Sequence, residues 1–195
     1  MAQRILHLIR HAQYLLEDRE DGALTELGLR QSMATGRSLQ NIPVATVYYS
    51  TIRRAIETCE AIGVSMPGVP RKPTDLLREC IPPMADHLVD FFALRGPNLS
   101  RYQMNQCAER IDTALDHFFR APDSQVDDTH ELLVCHGNVI RYLVARTLGA
   151  PVTAWTNMLI NNCGITRIVI NDGGDPFLLS FNDTGHLTSD MLTDH

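Results

Sequence analysis

Ile5-Leu6-His7-Leu8-Ile9-Arg10-His11-Ala12-Gln13 is the stretch that decides how this chain of 195 residues is read. From Ile5 to Ile9 the run is apolar apart from His7, and it does not alternate, as expected of a strand covered on both faces in a parallel sheet. It stops abruptly at the basic pair Arg10-His11. In an open α/β sheet, ligands bind in the crevice outside the carboxyl ends of the strands, so a strand that ends this way marks a candidate site. His7 lies inside the run and is expected to be a satisfied core histidine; His11 stands past its end.

Two further stretches repeat the pattern. Glu131 to Cys135 is a strongly apolar strand that ends in His136-Gly137, and Ala45 to Tyr49 is a strand followed by Arg53-Arg54. Apolar spacing predicts a helix from the N-cap Thr25 to about Leu39, in which Gly28 costs stability unless close packing requires it. A second helix runs from Ser50-Thr51 as cap through about Ile62, and Asn138 is expected to cap a helix over Val139 to Leu148. Met104, Cys107, Ala108, Ile111, Leu115, Phe118 and Phe119 recur at steps of three and four, the clearest amphipathic helix in the chain. Lys72 to Leu77 reads as a short edge strand, and Ile165 to Ile170 with Phe177 to Phe181 as strands flanking the turn Asn171-Asp172-Gly173-Gly174. Tyr14 to Ala23 reads as an acidic surface loop, Asp123 to Thr129 as a polar loop, and Ile81 to Ser100 as a roof holding one short helix around Asp86 to Ala93. Strands alternating with helices and closed by a hairpin predict a single domain over residues 1–195. Its class is α/β, a three-layer α/β/α sandwich with a mixed, mostly parallel central sheet.

Composition narrows the functions. Apolar residues make up 44% of the chain and charged residues 21%, and no apolar run approaches the roughly 20 residues of a spanning helix, so no membrane role is expected. A net charge of -6 argues against nucleic-acid partners, which need a basic face, but leaves room for a few arginines converging on a small anion. The odd number of cysteines, Cys59, Cys80, Cys107, Cys135 and Cys163, reads as free buried thiols. With no signal peptide visible and thiols suited to a reducing compartment, a cytoplasmic protein is expected. No pair of cysteines has zinc-ligand spacing and no ligand set for zinc or magnesium is visible, so neither metal nor cofactor is expected.

The three junctions, Arg10-His11, Arg53-Arg54 and His136-Gly137, share one crevice if the strands are neighbours. A neutral imidazole attacks phosphorus, arginine forks neutralise non-bridging oxygens, and a second histidine donates to the same group. Arg54 lies in the first turn of its helix, where free N–H groups favour an anion, and Gly137 lets backbone approach a phosphate closely. Phosphoryl transfer is the natural reading.

Leu8-Ile9-Arg10-His11-Ala12, Leu24-Thr25-Glu26-Leu27-Gly28, Ser50-Thr51-Ile52-Arg53-Arg54-Ala55-Ile56-Glu57-Thr58, Leu76-Leu77-Arg78-Glu79 and Cys135-His136-Gly137-Asn138-Val139-Ile140-Arg141 resemble, in order, the motifs of the histidine phosphatase (phosphoglycerate mutase-like) superfamily. Within it the likeness is to the mitochondrial serine/threonine protein phosphatase branch, through Arg-His-x-Gln-Tyr, Asp75 to Glu79 and Asp183-Thr184-Gly185. The resemblance implies that His11 is a nucleophile that becomes phosphohistidine, that Arg10 and Arg54 clamp the phosphate, and that His136 donates to it. Glu79 is implied as proton donor to the leaving group and then as base for water. Gln13 either places an amide on the phosphate or serves its own loop. Arg53 is expected to face solvent, and Arg78 and Arg141 to brace their surroundings.

The loop after His11 lacks the Gly-Glu of mutase-type members, and the segment between Glu79 and His136 is short, which favours hydrolysis. The expected activity is thus a metal-independent phosphomonoesterase acting on phosphoserine or phosphothreonine proteins. A phosphatase of small phosphorylated metabolites and a non-catalytic phosphate-binding module are the alternatives. The chain shows no anchor or leader of the kind that the mitochondrial branch carries, in line with the cytoplasmic expectation, and Cys80 beside Glu79 is a point of possible oxidation.

Overall fold

The computed structural model describes residues 2–17, 21–93, 100–122 and 127–194, with the backbone alone over 90–93. Parts of the acidic loop, the roof and the polar loop after Asp123 therefore lie outside the described residues.

Strand β1 (Arg4–Arg10) has hydrogen-bonded neighbours on both edges and helices on both faces, so every residue from Arg4 to Ile9 is buried. That is why its sequence does not alternate. Its two buried polar residues are accommodated by pairing: Arg4 with Glu131 at 2.5 Å, and His7 Nε2 with His130 Nδ1 at 3.0 Å. His7 is thus a core histidine, as read.

In chain order β1 is followed by α1 (Glu26–Leu39), β2 (Val44–Ser50), α2 (Arg53–Gly63), β3 (Arg71–Thr74), α3 (Asp86–Ala93), α4 (Arg101–Phe118), β4 (Thr129–Cys135), α5 (Gly137–Thr147), β5 (Ile165–Ile170) and β6 (Pro176–Asp183). The six strands form one sheet in the order β3-β2-β4-β1-β5-β6. The pairs β2–β3, β2–β4 and β1–β4 are parallel, and β5 runs antiparallel to β1 and β6, giving the mixed, mostly parallel sheet that the sequence predicts.

Alternate side chains of the central strands build two cores. Ile9, Val47, Leu132 and Val134 meet Leu39, Ala55, Cys59 and Ile62 of α1 and α2 on one face. Leu6, Leu8, Leu133 and Cys135 meet Met104, Ile111, Phe118, Ile140 and Leu143 of α4 and α5 on the other. Each fully buried aliphatic side chain contributes about 2 kcal/mol. Gly28 is required by close packing: a Cβ there would lie 2.0 Å from the carbonyl oxygen of Gln13, so α1 rests directly on the chain that follows His11.

Several local expectations are corrected. The predicted strand over Lys72 to Leu77 stops at Thr74, whose hydroxyl accepts from Leu76 N and opens a 3-10 turn over Asp75–Leu77. Ile52 and His136, not Ser50-Thr51 and Asn138, are the N-caps of α2 and α5; the hydroxyl of Ser50 and the amide of Asn138 are drawn to other partners. The reading of five free thiols fails at Cys80 and Cys107, which form a disulfide with Cα atoms 5.8 Å apart. Spacing along the chain does not reveal that the segment after Glu79 packs on α4. Cys59, Cys135 and Cys163 are free and buried, and burial pushes the Cys59 and Cys163 thiols up to about 12. Among the described residues, no helix is long and apolar enough to cross a membrane.

Candidate active site

Because β2, β4 and β1 are adjacent and parallel, their carboxyl ends lie side by side, and the three basic junctions converge. The backbone N–H of His11 donates to Cys135 O at 2.8 Å, tying the end of β1 to the residue before His136. The N-termini of α2 and α5 open onto the same end of the sheet, delivering Arg54 and His136 there with the helix-end field that favours an anion.

His11 is 3% exposed. Its Nδ1 lies 2.8 Å from Ala12 O, and a carbonyl oxygen only accepts, so Nδ1 carries the proton and Nε2 holds the lone pair. Arg54 Nε donates to that Nε2 at 3.2 Å. Burial, with the charges of Arg10 and Arg54, holds the pKa of His11 well below the ordinary histidine value, so the ring is neutral.

His136 is fully buried, with its ring centroid 5.1 Å from that of His11. Ser50 Oγ accepts from Ile52 N at 3.3 Å and lies 2.8 Å from His136 Nε2. His136 Nδ1 is buried and has no hydrogen-bond partner among the described residues; the same holds for Arg10 Nε. A buried polar atom left unpaired costs about 1–3 kcal/mol, so each of these two asks for a partner. Burial and the neighbouring cations also depress the pKa of His136.

Arg10 is aimed by its Nη1, which donates to Ile160 O at 2.5 Å and Asp194 O at 3.0 Å. A Cβ on Gly137 would meet Ile160 Cγ2 at 3.3 Å and Arg10 Nε at 3.5 Å, so glycine there leaves the guanidinium its place. Glu79, half-buried after the 3-10 turn, lines a cavity of about 110 Å³ with Arg10, Gly137, Asn138 and Arg141. Loss of water raises its pKa above the usual carboxylate value, although Arg54, Arg10 and Arg141 pull the other way. A raised pKa suits a carboxyl that exchanges a proton with substrate and water.

The amide oxygen of Gln13 accepts from Thr25 Oγ1 at 2.8 Å, which places its side chain on α1's cap. Arg141 braces, as expected: it donates to Gly137 O, Met158 O and Asn138 Oδ1. Arg53 is exposed and pairs with Glu57 at 2.7 Å.

Sequence reasoning missed the residues that fix the loop carrying His11. Tyr14 lies under Arg54, whose Cζ is 4.7 Å from the ring centroid. Thr58 Oγ1 accepts from Ala12 N at 3.0 Å, Gln31 Oε1 from Gln13 N at 2.8 Å, and Asn162 Nδ2 donates to His11 O at 3.0 Å. Thr58 had a signal, since it lies one helical turn after Arg54; Gln31 and Asn162 had none.

The family model described as the histidine phosphatase superfamily (branch 1) matches residues 6–184. The chain is 39% identical to a mitochondrial serine/threonine-protein phosphatase of Caenorhabditis briggsae, over 98% of this chain and 67% of that protein. It is 36% identical to the protein of the same name in Mus musculus, with the same two coverages. Among solved structures it is similar to a phosphoglycerate mutase of Plasmodium falciparum, with a TM-score of 0.66 and 28% identity over 97% of this chain and 96% of that one. In fold it is also similar to a phosphoserine phosphatase of Entamoeba histolytica, with a TM-score of 0.71 and 19% identity over 95% of this chain and 100% of that one. The mitochondrial relatives overturn the expectation of a cytoplasmic protein, which rested on the lack of a recognisable leader.

Proposed function

The chain belongs to the histidine phosphatase superfamily and is a phosphatase, and from that premise we propose that it hydrolyses phosphoserine and phosphothreonine in proteins through a phosphohistidine on His11. The observation that carries the mechanism is the neutral His11, with its lone pair on Nε2 beside Arg54 and with two partnerless buried polar atoms close by.

His11 Nε2 attacks phosphorus in line while the bond to the leaving oxygen breaks, and that oxygen takes the proton of Glu79. Arg10, Arg54 and His136 donate to the non-bridging oxygens as charge develops on them. Glu79, now a carboxylate, takes a proton from water; the hydroxide attacks phosphorus, the P–N bond breaks, and phosphate leaves with His11 neutral again. No step requires a metal. Gln13 steers the loop more than it binds phosphate, and Gly137 gives the backbone room. The names of the relatives support both the protein substrate and a mitochondrial setting, and the shared sheet supports residues 1–195 as one domain.

The test is to trap the intermediate. Rapid quenching during turnover should yield a phosphoenzyme that survives alkali and is lost in acid, present with chelator and absent in His11→Ala. An acid-stable phosphoenzyme, or turnover that persists in His11→Ala, would refute the mechanism.

A further inference from the structure

An apolar groove of about 520 Å³ lies between α1 and α2, outside the catalytic cavity. Leu24, Leu29, Ala61 and Val64 form its apolar surface, and Leu29 and Val64 remain 48% and 73% exposed. Met33, one turn beyond Leu29 on α1, is 40% exposed and extends the strip. A monomer rarely leaves large side chains bare side by side without a use for them. The polar lining is all of one sign. Glu26, Glu57 and Glu60 line the groove, and among the described residues no lysine, arginine or histidine does. Glu57 is engaged by Arg53 and by Leu24 N, whereas Glu26 and Glu60 have no ion-pair partner among the described residues.

The groove is also attached to the nucleophile loop. Thr25, in its wall, donates to the side chain of Gln13, and Gly28 packs on the Gln13 backbone, two residues past His11. The wall of the groove is thus built on the same stretch of chain that carries His11.

Resting on the phosphoprotein reading above, we propose that this groove docks the substrate: a segment flanking the phosphorylated residue that carries an apolar side chain next to lysine or arginine. The apolar side chain fills the space between Leu29 and Val64, and the basic one faces Glu26 and Glu60. Small phosphorylated metabolites are too short to use it, so the groove separates protein from metabolite substrates.

The test compares three substrates: an aryl phosphate, a phosphoserine peptide with an apolar-basic flank, and the same peptide with an acidic flank. Val64→Glu and Glu60→Lys should each raise KM for the basic peptide about ten-fold, with kcat and aryl phosphate turnover unchanged. Anisotropy of the labelled basic peptide without its phosphate should show the same loss of binding, independently of turnover. Lack of aryl phosphate turnover in the wild type would remove the phosphatase reading while the anisotropy still reports on the groove. Equal KM values for the two peptides, or unchanged peptide binding in both variants, would overturn the docking proposal. So would a Val64→Glu variant that alters sedimentation and not peptide binding, since the groove would then join two copies of the chain.

Discussion

Arg54 donates from Nε to Nε2 of His11 across 3.2 Å, so the guanidinium proposed to clamp phosphate rests on the nitrogen proposed to attack it. In the proposed reaction Nε2 no longer accepts once it bonds to phosphorus, and the Arg54 donor passes to a phosphoryl oxygen. Nucleophile and clamp are thus set by a single contact, and the stacking of Arg54 on Tyr14 fixes the plane in which the donor moves.

Arg54→Lys is the substitution that exposes this. Lysine keeps the charge but loses the planar fork, so kcat/KM for an aryl phosphate should fall about 10²–10³-fold. Arg53→Ala, one residue away and exposed, should change it by less than about two-fold. Steady-state kinetics of the two variants check the contrast; equal losses would show that the pair acts by bulk charge.

The pH–rate profile follows from two opposite shifts. His11 attacks only when neutral, and its pKa is held well below 6.5, so activity should decline on the acid side only below that value. Glu79 donates only when protonated, and its pKa lies above the ordinary 4.5, so activity should fall on the alkaline side as pH rises through that raised value. Glu79→Gln should remove the alkaline limb and lower steady-state kcat for every substrate, because the water step loses its base, while an activated aryl phosphate, whose leaving group needs no proton, keeps its first-turnover burst.

Stability should weaken in acid through a residue remote from the chemistry. Burial, with His130 and Arg167, lowers the His7 pKa from 6.5 to about 3. The unfolded chain therefore binds a proton that the folded one refuses: the contribution of His7 is whole above pH 6.5 and is lost as pH falls towards about 3. Urea unfolding between pH 7 and 5 should show the decline, and His7→Asn should remove about 1.4 kcal/mol per pH unit of its slope.

The sequence made the chemistry legible where a motif is local. Arg10-His11, Arg54 and His136-Gly137 each end or follow a strand, and adjacency in a parallel sheet is enough to bring them together. Glu79 was legible only through the resemblance, because it follows a 3-10 turn whose position depends on contacts with α4 and β2. The Cys80–Cys107 bridge and the Asn162 and Gln31 contacts were illegible for the same reason: each joins residues far apart in the chain through tertiary packing. Ser50 shows the converse error, since a good local cap was taken by His136 from another strand.

The disulfide should add measurable stability. It closes a loop with a sequence separation of 27, for which chain entropy alone gives about 3.5 kcal/mol. Cys107→Ser, or reduction of the wild type, should lower the denaturant midpoint accordingly, and thiol titration of the unfolded oxidised chain should find Cys59, Cys135 and Cys163 but neither Cys80 nor Cys107. Two further reactive thiols would refute the bridge.

Asn162 should matter to rate out of proportion to its distance from the reacting atoms. It is fully buried; its Nδ2 donates to His11 O at 3.0 Å and its Oδ1 accepts from Thr193 Oγ1 at 2.9 Å. Thr193 in turn accepts from Gln31 Nε2 at 2.8 Å, and Gln31 Oε1 accepts from Gln13 N, so two buried amides and one hydroxyl hold the backbone that leaves His11, on both sides of Ala12. A network satisfied at every member holds one geometry; with a member removed, the loop moves and its partners are left unpaired. Asn162→Ala should therefore lower kcat about 10²-fold with KM for an aryl phosphate within about two-fold, since misplacing the nucleophile penalises the transition state more than binding. Thr193→Val should share the effect and Thr193→Ser should restore it. A loss shared equally by kcat and the folded fraction, with no rescue by serine, would reduce the network to simple core stability.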